Sequence, residues 1–287
     1  MDFFASVLRI LDWSMPVPQP YGWFHLFFLI GSFVLGIAFS LWHKKHPADR
    51  QRKVILTATI IVIILEIYKL INFSFSYEDG VVFDFPWSVF PFQFCSTPMY
   101  VGLLAGLTKK GKLHSIACAY TVSFSVFAGA AVMFYPGDIY IETIGINIQT
   151  SICHGSMIFL GIYLMATNYV KPSLKNVLKA APLFAAMVTL AVIMNEIAHQ
   201  CGIAESHNFN MFYISPYCPP HLPVYSLIQE VVPFVPSLII YVLGFSGAAC
   251  IIQLIAMGVQ ALLTKKVKQT ACGGLFFYPS ASKRITV

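Results

Sequence analysis

The sequence predicts an all-α, polytopic membrane bundle of about seven transmembrane helices, and three observations predict it. Of 287 residues, 57% are hydrophobic and only 10% are charged, whereas a soluble domain carries about 25% charge. Apolar stretches recur near the roughly 20 residues that a helix needs to cross hydrocarbon. Lys and Arg fall in short clusters between alternate stretches. A net charge of +6 arranged that way sets topology and does not point to nucleic acid.

Residues 1–21 form an amphipathic lead-in. Phe3, Phe4, Val7, Leu8, Ile10 and Leu11 are interrupted by Asp2, Arg9 and Asp12, and Pro16, Pro18 and Pro20 end the pattern. Such a segment lies along a membrane surface or packs on the bundle. It lacks a basic stretch followed by an apolar core, so the first span is expected to direct insertion.

The transmembrane domain is expected over 22–263, with spans near 22–42, 54–72, 87–107, 113–134, 147–167, 177–198 and 227–263. Pro233 and Pro236 delay or kink the start of the last one. The third span is the unusual one. It carries Phe90-Pro91-Phe92-Gln93-Phe94-Cys95-Ser96-Thr97-Pro98, a cysteine and a glutamine at membrane depth between two prolines. Proline donates no backbone hydrogen bond, so a helix here is loosened on both sides of Cys95. Loosened backbone and polar groups are tolerated at that depth only inside protein or beside a water-filled cavity. Gly102 and Gly106 on the same span predict a close-packing surface.

Orientation follows from the basic residues. Apart from Arg9 and Lys69, every Lys and Arg lies in 43–53, 108–112, 171–179 or the tail 264–287. The opposite connections carry Glu78, Asp79, Asp84, Asp138, Glu142 and Glu205, and no Lys or Arg. The expectation is an outside N-terminus and a cytoplasmic C-terminus, with the protein in the plasma membrane. In the long outer loop, Cys201 and Cys218 are placed to pair under oxidising conditions. His199, Cys201, His207, Cys218 and His221 fit no defined zinc spacing, and neither a metal nor a cofactor is expected.

Polar side chains inside spans are costly in lipid and so are expected to face the bundle interior. Span two has Glu66 and Lys69, one turn apart; span three has Gln93 and Cys95. Span five has Asn147, Ser151 and His154, at i, i+4 and i+7. Glu196 ends span six and Glu230 opens span seven. Cys95 falls about 12 Å, and His154 about 10 Å, in from the outer starts of their spans at 1.5 Å per residue. The polar set therefore gathers at similar depth, as a cavity open toward the outer leaflet. Each member also has a structural reading: a small apolar filler for Cys95, an interhelical hydrogen bond for His154, and a self-neutralising pair for Glu66 and Lys69.

The segment Pro91-Phe92-Gln93-Phe94-Cys95 resembles the Pro-Leu-His-Leu-Cys motif of the bacterial YwaF membrane proteins, which are related to the eukaryotic transmembrane protein 164 acyltransferases. A span with a single His after an acidic outer loop matches at His154. Asn208-Phe209-Asn210-Met211-Phe212-Tyr213-Ile214-Ser215-Pro216 resembles the Asn-Tyr-Met signature before the last span, and adds Asn210 to the supporting residues. The resemblance implies an intramembrane lipid acyltransferase with Cys95 as nucleophile and His154 as its base. Its substrates would be membrane phospholipids, with no protein partner implied. Gln93 stands where many bacterial members have His, and Gln cannot act as a base. The acidic residue orienting His154 would be Glu66, Glu196 or Glu230, and oxyanion donors would come from Gln93, Asn147 or Lys69. The rival readings are an ion-coupled small-molecule transporter and a non-catalytic lipid-binding protein.

Overall fold

A computed structural model describes residues 3–46, 50–77, 80–137, 139–219 and 222–273. Among these residues, six helical stretches are long and apolar enough to cross a membrane. They are α2 (Trp23–Lys45), α3 (Gln51–Ser74), the run Lys112–Phe134, α7 (Ile144–Ala166), α8 (Leu174–Gln200) and α11 (Phe234–Gly273). Their outward faces carry Ile60, Ile64, Ile67, Leu243, Ile251 and Leu254, all exposed. Exposed aliphatic side chains on long helices are what a lipid solvent permits.

The third apolar segment is shorter than expected. Trp87–Val89 and Phe94–Ser96 are single 3-10 turns, and α4 covers only Thr97–Leu107. The two prolines explain the boundaries. Pro91 lies in the irregular stretch between the turns, while Pro98 sits in the first turn of α4, where no N–H is required. The helical run Phe94–Leu107 spans about 21 Å at 1.5 Å per residue, short of the ~30 Å hydrocarbon core. The non-helical part is covered by protein: Trp87 and Phe90 pack on Phe209, and Phe92 and Phe94 on Phe212.

The run Lys112–Phe134 is interrupted too. α5 (Lys112–Tyr120) and α6 (Val126–Phe134) are joined by one π-turn, Thr121–Ser125. A π-turn frees a carbonyl from its regular partner, and Gln253 of α11 donates to Val122 O at 2.6 Å. The same fully buried glutamine accepts from Asn176 Nδ2 and from Ser173 N, each at 2.9 Å. One side chain thus ties α8, α11 and the π-turn together.

α5, α6 and α7 form the most buried part of the bundle. α2 packs along α7, α3 along α4 and α7, and α8 along α5 and α11. The α3–α4 contact is close because of glycine. A Cβ at Gly102 would collide with Thr59 Oγ1, and one at Gly106 would lie 2.9 Å from Leu56 Cβ. At the last span, α10 (Pro223–Val231) and α11 are separated at Val232 and Pro233, the break that the prolines foretell.

α1 (Phe3–Leu11) is fastened to the bundle. Tyr68 OH donates to Leu11 O, and Thr143 Oγ1 and Tyr77 OH donate to the Asp12 carboxylate. A bridge from Ser14 to Thr143 completes the tie. Cys201 and Cys218 are both free thiols, and Cys218 Sγ donates to Ala204 O and Phe209 O instead. His199 stacks on Tyr217 and bonds Glu205 of the short α9 (Ile203–His207). Of the residues considered above, Asp2, Glu78, Asp79, Asp138, His221 and the tail beyond 273 lie outside the described residues.

Candidate active site

A cavity of about 560 Å³ opens in the half of the bundle away from the basic connections. Its walls come from the last turns of α3, the start of the Phe94–Leu107 run, α6, the first half of α7, and the first turns of α11. Glu66, Lys69, Gln93, Cys95 and His154 all line it. Residues far apart in the chain are thus brought into one space.

Cys95 enters from the second position of a helical run, because the chain before Phe94 is not helical. The first N–H groups of a helix lack partners within it, and its N-terminal end favours negative charge. The sulfur therefore lies beside the partially positive end of the run, where an oxyanion developing next to it would be met. Thr97 holds the turn by donating to Phe94 O at 2.8 Å, and Tyr100 by donating to Pro91 O at 2.6 Å.

His154 is set by its own helix. Nδ1 lies 2.7 Å from Thr150 O. A carbonyl oxygen only accepts, so Nδ1 carries the proton and Nε2 keeps its lone pair. Nε2 is buried and has no hydrogen-bond partner among the described residues. Orientation of this imidazole thus comes from a backbone carbonyl rather than from Glu66, Glu196 or Glu230.

Glu66 and Lys69 pair on α3, with Nζ 2.5 Å from Oε1. The second carboxylate oxygen accepts from Gln149 Nε2 at 3.0 Å, and Gln149 also lies 3.4 Å from Cys153 Sγ.

Gln93 is a clamp. Its Oε1 accepts from Phe212 N at 2.9 Å and its Nε2 donates to Asn210 O at 2.8 Å. The clamped loop is strained, since Phe212 and Tyr213 both take left-handed φ, 59° and 55°, which L side chains rarely adopt. Asn195 and Tyr241 hold the same loop through Met211 and Phe212. The result places Tyr213 on the cavity wall, where burial pushes its phenol up to about 12 and keeps it a neutral donor.

The remaining expected residues stand elsewhere. Asn147 closes on Ile141, accepting from its N–H and donating to its carbonyl, and Ser151 lies 3.5 Å from Tyr140 OH. They fasten the 139–141 connection to α7. Asn210 Oδ1 accepts from Ser215 N within the strained loop. Glu196 takes bonds from Gln200 and Tyr217 at an exposed helix end, and Glu230 is exposed on α10. None of the five lines the cavity.

The α7 residues facing the cavity are Ile146, Gln149, Thr150, Cys153 and His154. Spacing of i, i+3, i+4 and i+7 marks one helix face. The sequence offers two polar stripes on this helix, and the one through Asn147 and Ser151 reads equally well. Gln149 and Cys153 were legible only as members of the other stripe. Tyr213 and Tyr241 carried no signal beyond their neighbourhood.

No curated protein and no solved structure matches the chain significantly. The TMEM164 family model matches residues 20–257, which take in every wall of the cavity. On that match the chain belongs to the TMEM164 family.

Proposed function

We propose that the protein is an intramembrane lipid acyltransferase working through a Cys95 thioester. The observation that carries the reading is His154 Nε2, a buried base without a partner among the described residues, in the cavity that Cys95 also lines. A Cys and His from different elements facing one space are the parts of an activated nucleophile.

His154 Nε2 takes the proton from the Cys95 thiol as sulfur attacks the ester carbonyl of a phospholipid. The tetrahedral oxyanion is met by the N–H groups of Phe94 and Cys95 at the start of the Phe94–Leu107 run. Collapse breaks the carbonyl–oxygen bond to the glycerol, and the imidazolium returns its proton to that oxygen. A lysophospholipid leaves and a thioester remains. The hydroxyl of an acceptor lipid then loses its proton to His154, attacks the thioester and releases the thiolate, which the imidazolium reprotonates. The aromatic wall of Phe94, Phe127 and Phe245 keeps bulk water scarce, which favours transfer over hydrolysis. With the basic connections in the cytoplasm, the cavity faces the outer leaflet of the plasma membrane.

The test is acyl labelling of purified protein from a phospholipid bearing an alkyne-tagged acyl chain. Wild type should carry hydroxylamine-labile label, Cys95→Ala none, and His154→Gln should label at a strongly reduced rate. Label of undiminished intensity on Cys95→Ala would exclude the scheme.

A further inference from the structure

The cavity wall contains one lysine and one carboxylic side chain, and both belong to the same turn of α3. Lys69 and Glu66 are the one Lys or Arg and the one Asp or Glu among the lining residues. Their side chains are 18% and 8% exposed. The attraction within a pair removed from water offsets its desolvation only when the remaining valences are also met. Glu66 meets this condition on Oε2 alone, which accepts from Gln149, while Oε1 makes the ionic contact with Lys69 but no hydrogen bond among the described residues. Lys69 does not meet it either. Its ammonium has three donors, and Glu66 is its one hydrogen-bonding or ionic partner among the described residues. The open donors belong to the more exposed of the two side chains. The same cavity is also lined by the aromatic rings of Phe94, Phe127 and Phe245. The cavity is therefore amphiphilic, with an ionic end that is neutral overall.

We propose that Glu66, Lys69 and Gln149 form a headgroup subsite for a lipid that carries both a phosphate and an ammonium. The phosphate takes the open donors of Lys69, and the ammonium takes the carboxylate of Glu66. Gln149 keeps that carboxylate aimed while its bond to Lys69 is shared out. The exchange is pairwise, so the net charge of this poorly solvated wall stays zero at every stage. A headgroup with a phosphate alone would leave one negative charge uncompensated, which is costly at this depth. The subsite rests on the reading that a phospholipid occupies the cavity, and it adds which headgroup is admitted. It also gives Lys69 and Glu66 a role that an isolated structural pair does not have, namely discrimination by charge count.

The experiment reads lipid retention and needs no chemistry. Full-length Cys95→Ala protein is placed in nanodiscs of equimolar phosphatidylethanolamine and phosphatidylglycerol, and co-purifying lipid is measured by native mass spectrometry. The zwitterionic lipid should be retained over the anionic one by about tenfold or more, given the cost of an unpaired buried charge. Adding Glu66→Gln keeps the shape and an acceptor for Gln149 but leaves Lys69 uncompensated, so the preference should reverse toward phosphatidylglycerol. Adding Lys69→Met should lose retention of both. Equal retention of the two lipids with Glu66 and Lys69 intact, or a preference that Glu66→Gln leaves unchanged in folded protein, overturns the proposal. Monodisperse elution of each variant establishes that it is folded. Displacement by soluble glycerophosphoethanolamine identifies the same chemistry on a water-soluble ligand, and resistance to it places the source in the membrane. If the preference reverses while Cys95 in wild type never takes label, the acyl-transfer reading fails and the subsite stands. If Cys95 takes label but no charge preference is found, the subsite fails and acyl transfer stands.

Discussion

Gln93→Leu should release the 208–216 loop, and the structure gives the size of the effect. Phe212 and Tyr213 hold left-handed backbone, at about 1–2 kcal/mol each for an L residue. Against this stand five hydrogen bonds, two from Gln93, two from Asn195 and one from Tyr241. At about 1 kcal/mol net apiece, they total roughly 5 kcal/mol, so the loop is held by only a few kcal/mol. Leucine fills a similar volume but removes two bonds, leaving Phe212 N without its partner and Asn210 O with the Tyr213 N–H alone. An orphaned buried group costs about 1–3 kcal/mol. The balance then tips toward opening, and Tyr213 leaves the cavity wall. Hydrogen exchange by mass spectrometry in nanodiscs should show amides 208–216 losing protection while α7 keeps its own. Gln93→His should restore much of the protection, because an imidazole also offers one donor and one acceptor. Unchanged protection in Gln93→Leu would refute the clamp, as would loss of protection spread equally over the whole bundle.

Gly102→Ala should lower stability in detergent by about 1–3 kcal/mol through overpacking, because its Cβ collides with Thr59 Oγ1. Gly244→Ala, with nothing within 4 Å, is the matched control and should lower it little, if at all. Gln253→Leu should cost about 2–4 kcal/mol by orphaning buried groups around the π-turn, read as a lower midpoint of thermal unfolding. Asp12→Ala removes the acceptor for Thr143 and Tyr77. Limited proteolysis should then cut near residue 15 faster, with the bundle core intact; an unaltered cutting rate counts against the tie. A membrane-permeant maleimide should label exposed Cys201 well before Cys118, which is 3% exposed, and the reverse order would contradict the packing.

Much of the bundle was legible because lipid imposes a length and an apolarity on every span. Those constraints act residue by residue and leave a mark in composition. The prolines at 91 and 98 marked the irregular third segment, although periodicity could not say that its first half would hold only single 3-10 turns and no α-helix. That depended on whether Phe209 and Phe212 would cover the bare backbone. The gathering of Glu66, Lys69, Cys95 and His154 was legible as a matter of depth, since rise per residue and the run of basic loops fix the level of each side chain.

Depth leaves rotation open. α7 bears two polar stripes, and only the packing of α2, α3 and α6 around it turned Gln149 and Cys153 toward the cavity and Asn147 and Ser151 toward the 139–141 connection. The partner of the imidazole was equally out of reach, because Thr150 contributes a backbone carbonyl, which every residue possesses. Gln93 likewise bonds backbone 117 and 119 positions away, a pairing that leaves no local trace. The chain by itself determined what kind of solvent surrounds it and how deep its polar groups lie, because the cost of burial in lipid depends on each side chain's own chemistry. Tertiary packing alone decided which of those groups meet, because direction around a helix axis is set by neighbours.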